Sequence, residues 1–401
     1  MHRNEGRWGT VRVAMVTESF LPSLNGVTTS VCRVAECLRQ QGHKALIIAP
    51  SPAPTSFAGH PVRAVPAVPV RGFNAGVPTN TMIRALRDFK PDVMHVASPF
   101  LIGARGLHVA QDMGIPTVAI YQTDMPSYVE QHGPGAIGRG AAEIVWHWVR
   151  RMHSQANLTL APSQPTLDEL RMHGVPRTAL WGRGVDTGLF HPEWRDEAGS
   201  VALRETLAPN GEVLLGYVGR LAPEKELHRL VEVASIPHTR LVLVGEGPSR
   251  ADIGALLSEA VASRTGRPNL PPVFLGRRSG DDLARAYGAM DVFVHTGTKE
   301  TFGQTLQEAA AMGLPVVAPA RGGPVDLVDH GRTGHLFDPD VAGDLHRMTA
   351  PIVEDPVLRS SMGAAGLARV RERSWNALTE QLLEHYRSVA DQPVAARRSV
   401  A

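Results

Sequence analysis

Two glutamates eight positions apart, Glu300 and Glu308, mark the stretch of this chain whose residue types and spacing could carry chemistry. The run TLQEAAAMG, with Thr301 and Gly303 before it, has the composition of a helix that ends at Gly313. At helical rise, eight residues span about 12 Å, roughly the length of a sugar diphosphate. A carboxylate at each end could hold a sugar hydroxyl and a ribose hydroxyl, while N–H groups of the first turn face phosphate. Two solvated glutamates on a surface helix are the alternative.

Further candidates lie at the ends of other strand-like runs. Arg220 and Lys225 follow the apolar run LLGYVG, which ends at Gly219. Two cations on a strand-to-helix turn can meet both phosphates of a diphosphate and stabilise its charge as a glycosidic bond breaks, although a solvated basic turn is the alternative. The runs LVLVGEG and VFLG add residues that could approach a ligand or serve only packing: Gly245, Glu246, Gly247, Leu275 and Gly276.

Composition is typical of a soluble enzyme with two domains. The 401 residues are 43% hydrophobic and 20% charged, and no apolar run of about 18 residues predicts a membrane span. No long apolar segment precedes VRVAMV, so we expect a short N-terminal tail and no signal peptide. Cys32 and Cys37 lie on different sides of a helical pattern, which predicts neither a disulfide nor a metal site and suits a reducing cytoplasm. The net charge of only +2 argues against nucleic-acid binding.

Apolar runs alternate with amphipathic helical patterns twice along the chain. The first series has VRVAMV, ALIIAP, DVMHVA, TVAIY and LTLAP, and the second has LLGYVG, LVLVGEG, VFLG, DVFVHT and PVVAP. Short apolar strands that alternate with helices are typical of buried parallel sheets, so each series predicts a doubly wound domain with ligands at the carboxyl ends of its strands. The stretch GRGVDTGLFHPEWRDEAG between them is interpreted as an interdomain linker.

Several motifs, in this order and spacing, resemble the donor-binding half of family-4 glycosyltransferases with the GT-B fold: GYVGRLAPEKEL, LVLVGEGP, VFLG and KETFGQTLQEAAAMGLPVVAPARGGPVDLV. The resemblance continues in AMVTESFLPSLNGVTTSV, DVMHVASP, TVAIYQTDMPSY and WGRGVDTGLFHP, and so covers roughly residues 11–390. Within the family, the first-half motifs look most like actinobacterial GDP-mannose-dependent α-mannosyltransferases and also resemble plant-type sulfoquinovosyl lipid synthases. The resemblance implies retaining transfer of a hexose from a nucleotide diphosphate sugar, with no metal required at the diphosphate.

The resemblance also implies an α/β architecture of the GT-B type, in which two doubly wound Rossmann-like domains face each other across a cleft. We expect a flexible tail at 1–10, an acceptor-binding domain at 11–190 and a nucleotide-sugar-binding domain at 191–372. A helix at 373–390 is expected to cross back toward the first domain, and a second flexible tail is expected at 391–401.

Matching motifs imply roles for individual residues of the donor half. Arg220 and Lys225 hold the diphosphate, Glu300 binds hydroxyls of the donor sugar, and Glu308 binds ribose. Backbone N–H groups beside Glu300 face the sugar and phosphate, in a stretch that comprises Thr301, Phe302, Gly303 and Gln304.

In the first domain, the implied contacts come from the loop after the first strand and from the turn YQTD. Asn25 and Gly26 touch phosphate, unless they form only an ordinary Asn-Gly turn. Many relatives carry a histidine where this chain has Gln122, and an amide can bind a hydroxyl but cannot transfer a proton. Asp124 then becomes the candidate acidic group near the anomeric carbon, with a cap on the helix MPSYVEQHG as the alternative. His132 in that run is interpreted as a surface residue.

Together these patterns favour a retaining glycosyltransferase that moves mannose from GDP-mannose to a lipid-linked or glycolipid acceptor. Three alternatives remain: a UDP-sugar-dependent transferase acting on a lipid or small molecule, a nucleotide-sugar 2-epimerase and a non-catalytic sugar-binding module.

No second carboxylate suited to double displacement is evident, so we expect front-face displacement. Basic and aromatic residues predict peripheral contact with an anionic membrane, at the inner face of the plasma membrane. A solvated helix face with the tryptophans packed in the core is the alternative. The residues are Arg84, Arg87, Lys90, Trp146, Trp148, Arg150 and Arg151.

Overall fold

The structure is a computed structural model that describes residues 9–23, 25–70, 73–77, 79–122, 135–263 and 269–392. The chain divides into two compact units: unit 1 comprises Met1–Arg183 and Trp375–Ala401, and unit 2 comprises Gly184–Ser374. The stretch interpreted as a linker, 182–199, therefore lies almost wholly inside unit 2, where it contains a short 3-10 helix at Pro192–Asp196. The chain crosses between units after residues 183 and 374, close to the expected bounds of 190 and 372.

The strands of unit 1 are β1 (Arg12–Val16), β2 (Lys44–Pro50), β3 (Ser56–Phe57), β4 (His60–Val65), β5 (Ala67–Val70), β6 (Phe73–Gly76), β7 (Val93–Val96), β8 (Thr117–Ile120), β9 (Leu158–Ala161) and β10 (Thr178–Leu180). Eight of them form one sheet in the order β10-β9-β8-β7-β1-β2-β4-β3, in which every pair is parallel except β3–β4. A separate antiparallel pair, β5–β6, was not predicted from the sequence.

Unit 1 is doubly wound because the chain builds its sheet outward from β1 in both directions. Its helices before the first crossing are α1 (Gly26–Gln40), α2 (Asn80–Phe89), α3 (Ile102–Met113), α4 (Gly135–His153) and α5 (Gln164–Met172). Strand β1 is buried on both faces, with Val13 and Met15 in one apolar cluster and Ala14 and Val16 in another. The strand order reverses between β1 and β7, and a crevice for ligands forms at such a switch point.

The strands of unit 2 are β11 (Val213–Val218), β12 (Thr239–Val244), β13 (Val273–Gly276), β14 (Val292–Val294), β15 (Val316–Pro319) and β16 (Gly334–Phe337). They form an all-parallel sheet in the order β13-β12-β11-β14-β15-β16, so the strand order reverses between β11 and β14. The helices are α6 (Ala198–Leu207), α7 (Val231–Ala234), α8 (Arg250–Ala262), α9 (Gly280–Ala289), α10 (Gln304–Ala311), α11 (Pro324–Leu327), α12 (Asp344–Glu354) and α13 (Pro356–Arg371). Two further 3-10 helices lie at Pro223–Lys225 and Leu227–Leu230. The prediction of two doubly wound parallel sheets is confirmed.

The last helix, α14 (Trp375–Ala390), belongs to unit 1 although the preceding 191 residues form unit 2. Leu382 and Tyr386 on this helix are almost completely buried in the same apolar cluster as Val13 of β1. The Tyr386 hydroxyl lies 2.6 Å from Nδ1 of the buried His95 in β7. Trp181 donates a hydrogen bond of 2.7 Å from Nε1 to the carbonyl of Leu378, which anchors the end of the first segment of unit 1 to α14.

Among the helices that the structure describes, none combines the length and the apolar character needed to span a bilayer.

Candidate active site

Lys225 and Glu300 form an ion pair at the carboxyl ends of β11 and β14, the two strands between which the strand order of unit 2 reverses. Nζ of Lys225 donates a hydrogen bond of 2.7 Å to Oε2 of Glu300, and the two side chains are 23% and 20% exposed. The fold thus brings together two residues 75 positions apart, each of which the sequence placed at a strand end. In parallel α/β sheets this is the position where ligands bind.

The loop that leads to Glu300 is tied to the loop that carries Lys225. Thr296 donates a hydrogen bond of 2.7 Å from Oγ1 to the Lys225 carbonyl, and the hydroxyl of Thr298 donates to the carboxylate of Glu226. Burial alone would raise the pKa of Glu226, but the hydrogen bonds from Thr298 and Arg229 lower it. These bonds fix the spacing between the two strand-end loops and therefore hold the ion pair.

The loop after β15 supports Glu300 from the other side. The Gly323 N–H donates a hydrogen bond of 2.7 Å to the Glu300 carbonyl. A Cβ added to Gly323 would lie 2.4 Å from the Phe302 carbonyl oxygen, so this backbone approach requires glycine. Gly323 belongs to the sequence motif ARGGPVD, and its support of the Glu300 backbone was not predicted.

His295, the first residue after β14, lies behind the ion pair and was also not predicted. Its side chain is 2% exposed, and Nε2 lies 3.8 Å from Oε2 of Glu300. Burial lowers the pKa of His295 to about 4, although the nearby Glu300 carboxylate raises it in part. The imidazole is therefore neutral near pH 7, and the positive charge beside Glu300 comes from Lys225.

Arg220 occupies a different environment from Lys225. Its side chain is 63% exposed and forms an ion pair with Glu224 one turn further on, within the same loop. The Tyr217 hydroxyl donates a hydrogen bond of 3.1 Å to the Arg220 carbonyl, which fixes the backbone where β11 ends. The structure leaves the guanidinium of Arg220 near the solvent, so its contact with a diphosphate stays a prediction.

The glycine turns at the ends of β11, β12 and β13 contact one another directly. The Gly245 N–H donates a hydrogen bond of 2.9 Å to the Gly276 carbonyl, while the exposed Glu246 faces Arg250 at 3.9 Å. A Cβ added to Gly245 would lie 1.9 Å from the Gly219 carbonyl oxygen. A steric reason for glycine is therefore present at this turn without any ligand.

Other predicted residues of these turns lie nearby. Leu275 packs, half-buried, against the apolar core of unit 2. Gly247 is close to the backbone of the β11 loop, because a Cβ added there would lie 2.2 Å from the Leu221 carbonyl oxygen.

Helix α10 begins at Gln304, with Gly303 as its N-cap, as the composition of the segment predicted. The span of about 12 Å between Glu300 and Glu308 assumed helical rise throughout, and this assumption is wrong because the segment before Gln304 is not helical. Thr301 is half-buried, and the Phe302 side chain is buried. Gln304 donates a hydrogen bond of 3.1 Å from Nε2 to the Gly184 carbonyl.

Glu308 accepts a hydrogen bond of 2.9 Å from the hydroxyl of Tyr287, a fully buried residue of α9. Burial raises the pKa of Glu308 to about 7, and the nearby Asp186 carboxylate also raises this pKa. The hydrogen bonds from Tyr287 and Gln304 act in the opposite direction and offset part of the effect. The Tyr287 ring is held in turn by an edge contact with Phe190 at 5.7 Å. Glu308 is thus a positioned carboxylate that titrates near neutral pH, and not a freely solvated surface residue.

In unit 1, Asn25 is the N-cap of α1. Its side-chain oxygen accepts hydrogen bonds of 3.0 Å from the N–H groups of Val27 and Thr28, and Gly26 is the first helical residue. The amide of Gln122 is engaged at both ends: Nε2 donates to the Ala97 carbonyl and Oε1 accepts from Arg183, each at 2.6 Å. Contact of Asn25 and Gly26 with phosphate stays a prediction. Asp124 and His132 lie outside the described residues.

Two further features of unit 1 concern residues near its strand ends. Oε1 of Glu18 accepts a hydrogen bond of 3.0 Å from the Gly103 N–H at the start of α3, and burial raises the pKa of this glutamate to about 7 against the effect of such bonds. For Trp146 the alternative of a tryptophan packed in the core is the one that the structure shows, because this side chain is buried and stacks at 3.8 Å on His173. Trp148 is half-buried and makes an edge contact with Phe100.

Comparison with known proteins agrees with this fold. The family models "Glycosyltransferase Family 4" and "Glycosyl transferases group 1" match residues 24–189 and 202–369, one in each half of the chain. Sucrose-phosphate synthase from Thermosynechococcus elongatus has a similar structure, with a TM-score of 0.75 over 94% of this chain and 98% of that one at 22% identity. Both units therefore have the α/β architecture of GT-B glycosyltransferases.

Curated relatives cover almost the whole chain. A GDP-mannose-dependent alpha-mannosyltransferase of Mycobacterium tuberculosis is 44% identical over 94% of this chain and 97% of its own length. The protein of the same name from Corynebacterium glutamicum is 38% identical over 94% of this chain and 89% of its own length. The chain belongs to glycosyltransferase family 4 and is a glycosyltransferase.

Proposed function

We propose that this glycosyltransferase moves mannose from GDP-mannose, with retention of the α configuration, to a lipid-linked or glycolipid acceptor. Support for the donor comes from the names of the relatives, whose sequences align over 94% of the chain. The structural observation that carries the proposal is the Lys225–Glu300 ion pair at the switch point of unit 2.

The ion pair suits a nucleotide sugar because it offers opposite charges to two adjacent parts of one molecule. A carboxylate accepts hydrogen bonds from sugar hydroxyls, and an ammonium group attracts the diphosphate on which negative charge develops as the glycosidic bond breaks. Glu300 and Lys225, whose charged atoms lie 2.7 Å apart, are close enough to serve one bound donor. We infer that Arg220, at the exposed end of the same loop, adds a second cation for the diphosphate.

A donor screen tests this function. The purified protein is incubated with GDP-mannose, UDP-glucose or UDP-N-acetylglucosamine, with and without a polar lipid extract, and released GDP or UDP is measured. We expect GDP release that depends on the acceptor and a mannolipid cleaved by an α-mannosidase. Release of UDP alone would indicate the UDP-sugar alternative, and conversion of the donor without acceptor would indicate an epimerase.

A matched pair of variants connects the activity to the site. Glu300→Ala should lower kcat/KM by about tenfold to a hundredfold, because it removes a charged hydrogen-bond acceptor. Glu205→Ala, on the exposed face of α6, is the control and should leave the rate unchanged. If Glu300→Ala transfers mannose as fast as the unaltered protein, Glu300 does not belong to the site.

We further propose that the transfer needs no metal ion at the diphosphate, since Lys225 and Arg220 supply its counter-charge. In the part of the chain that the structure describes, no cluster of three His, Cys, Asp or Glu residues could hold a metal. Addition of EDTA should leave the rate of GDP release unchanged. A rate that falls with EDTA and returns with Mg²⁺ or Mn²⁺ would contradict this proposal.

For the mechanism we infer front-face displacement. The acceptor oxygen bonds to the anomeric carbon on the face from which the bond to the diphosphate breaks, and the acceptor proton passes to the departing diphosphate. Glu300 acts as an anchor for sugar hydroxyls, since its Oε2 already accepts a hydrogen bond from Lys225. A covalent glycosyl adduct on the protein, detected by mass spectrometry after incubation with donor alone, would refute this mechanism.

Contact with an anionic membrane is a further part of the proposal. Five basic residues of α2 and α4 and their ends are exposed and available for such contact: Arg84, Arg87, Lys90, Arg150 and Arg151. We expect the protein to co-sediment with vesicles that contain phosphatidylglycerol more than with phosphatidylcholine vesicles, and salt should weaken this binding. Equal sedimentation with both vesicle types would contradict it.

A further inference from the structure

His295, the first residue after β14, combines almost complete burial with a lack of hydrogen bonds to the residues that the structure describes. Its side chain is 2% exposed, and neither Nδ1 nor Nε2 has a partner in the described part of the chain. The backbone of Gly297 approaches the ring without completing a hydrogen bond. Because a buried polar group without a partner costs stability, the free protein alone gives no reason for a histidine here.

The ring of His295 is placed so that Nε2 faces the ion pair. Nε2 lies 3.8 Å from Oε2 of Glu300, the same oxygen that accepts the hydrogen bond of 2.7 Å from Lys225. The ring is nearly parallel to that of Tyr217, whose hydroxyl is bound to the Arg220 carbonyl. A movement of about 1 Å would bring Nε2 within hydrogen-bond distance of Oε2.

The protonation state of His295 suits a donor and not a counter-charge. Burial lowers the pKa of the ring to about 4, and the charge of Lys225 lowers it as well, while the carboxylates of Glu300 and Glu226 raise it in part. A neutral imidazole carries its proton on one nitrogen and donates one hydrogen bond. The Glu300 carboxylate favours the proton on Nε2, the nitrogen that faces it. His295 is therefore a neutral N–H donor held beside Glu300.

The charge of Lys225 is shared between two tasks. In the structure its ammonium group is paired with the Glu300 carboxylate, which offsets the charge that a diphosphate would attract. Both side chains are largely shielded from water, so this offset is stronger than it would be at an exposed site. A neutral donor to Glu300 would hold the carboxylate and leave the charge of Lys225 to the diphosphate.

We propose that His295 is a positioning residue for Glu300 in the complex with the donor. When the diphosphate attracts the ammonium group of Lys225, the Nε2–H of His295 donates a hydrogen bond to Oε2 of Glu300 in its place. Glu300 then keeps the orientation in which it binds hydroxyls of the sugar, and His295 itself touches neither donor nor acceptor. The inference rests on the proposed function, since it assumes that Lys225 binds the diphosphate and Glu300 the sugar.

The test replaces the imidazole with side chains that lack or keep an N–H donor. His295→Leu removes the donor, and it should lower kcat/KM for GDP-mannose by about tenfold to a hundredfold, because a hydrogen bond to a charged group is lost. His295→Gln supplies an amide N–H and should stay within about threefold of the unaltered protein. His238→Gln is the control and should have a normal rate, because this exposed residue precedes β12 at the opposite edge of the sheet.

Two further measurements separate positioning from a structural role. His295→Leu should melt at the same temperature as the unaltered protein or at a higher one, because the ring loses no hydrogen bond to the described residues. In the Glu300→Ala background, His295→Leu should cause no additional loss of rate, because the residue on which it acts is already absent.

A structural role predicts the reverse: His295→Leu would melt at a lower temperature and, while folded, transfer mannose at the normal rate, which would overturn the inference. A His295→Gln variant as slow as His295→Leu would overturn it too, as would a loss of rate that persists in the Glu300→Ala background. In each of these cases, GDP release by the unaltered protein leaves the proposed function standing. If the unaltered protein releases no GDP from GDP-mannose, the proposed function fails and the inference fails with it.

Discussion

The protonation of Glu308 should control donor affinity near neutral pH. If Glu308 accepts hydrogen bonds from the ribose hydroxyls, the ionised form is the one that binds. Since burial raises the pKa of this carboxyl to about 7, the ionised fraction rises from about 0.1 at pH 6 to about 0.9 at pH 8. The apparent Kd is the intrinsic Kd divided by this fraction, so the Kd for GDP-mannose should fall by about tenfold as the pH rises over that range.

Calorimetric titration with GDP-mannose at several pH values tests this expectation, and the esterified phosphates of this ligand do not themselves titrate there. Glu308→Gln should bind weakly with an affinity that does not depend on pH. Tyr287→Phe removes a hydrogen bond that lowers the pKa of Glu308, so its midpoint should move to higher pH. A flat profile in the unaltered protein, or a profile that persists in Glu308→Gln, would refute the reasoning. The second outcome would direct attention to Glu18, whose pKa is also about 7.

Three other predictions concern stability and reactivity. Gly245→Ala should reduce soluble yield and melting temperature, because the new Cβ would lie 1.9 Å from the Gly219 carbonyl oxygen, and a normal melting curve would contradict this. Tyr386→Phe should lower the free energy of unfolding by about 1–3 kcal/mol in urea denaturation, because Nδ1 of the buried His95 loses its hydrogen-bond partner. An unchanged free energy of unfolding would show that this hydrogen bond is not stabilising. Cys32, a half-buried residue whose pKa burial raises to about 12, should react with iodoacetamide at pH 8 far more slowly in the folded chain than in urea, and equal rates would contradict the raised pKa.

The buried strands could be predicted from sequence because both of their faces are apolar, which leaves a continuous run of hydrophobic residues. The segment from β3 to β6 could not. It contains Pro61, Pro66 and Pro69, which are typical of connectors and cannot donate to a sheet, and its strands lie at the β3 end of the sheet or in a separate pair. Strands β10 and β16 were missed for a related reason, since each lies at the edge of its sheet and has half-buried or exposed residues.

The positions of the candidate site could be predicted, but its contacts could not. Strand-end motifs placed Lys225 and Glu300 on one edge of a sheet, whereas their pairing depends on which strands are neighbours across 75 residues. The role of Tyr287 is hidden for a similar reason. A tyrosine in a helix of ordinary composition gives no local signal that its hydroxyl will meet Glu308 across 21 residues. In the sequence, His295 looks like an ordinary polar residue at the end of a strand. Only the burial of its side chain, which the structure shows, distinguishes it from a solvated histidine.

The return of α14 to unit 1 has a consequence for the order in which the chain folds during synthesis. Unit 2 is continuous from Gly184 to Ser374, so all of it has been synthesised before the helix Trp375–Ala390 exists. Most of unit 1 is translated first. Until α14 has been synthesised, however, this unit lacks side chains that cover one face of its sheet, among them Leu382 and Tyr386. On the ribosome, the half of the enzyme that is made second is therefore the first that can complete its core, and the nascent N-terminal half exposes an apolar surface that chaperones would recognise.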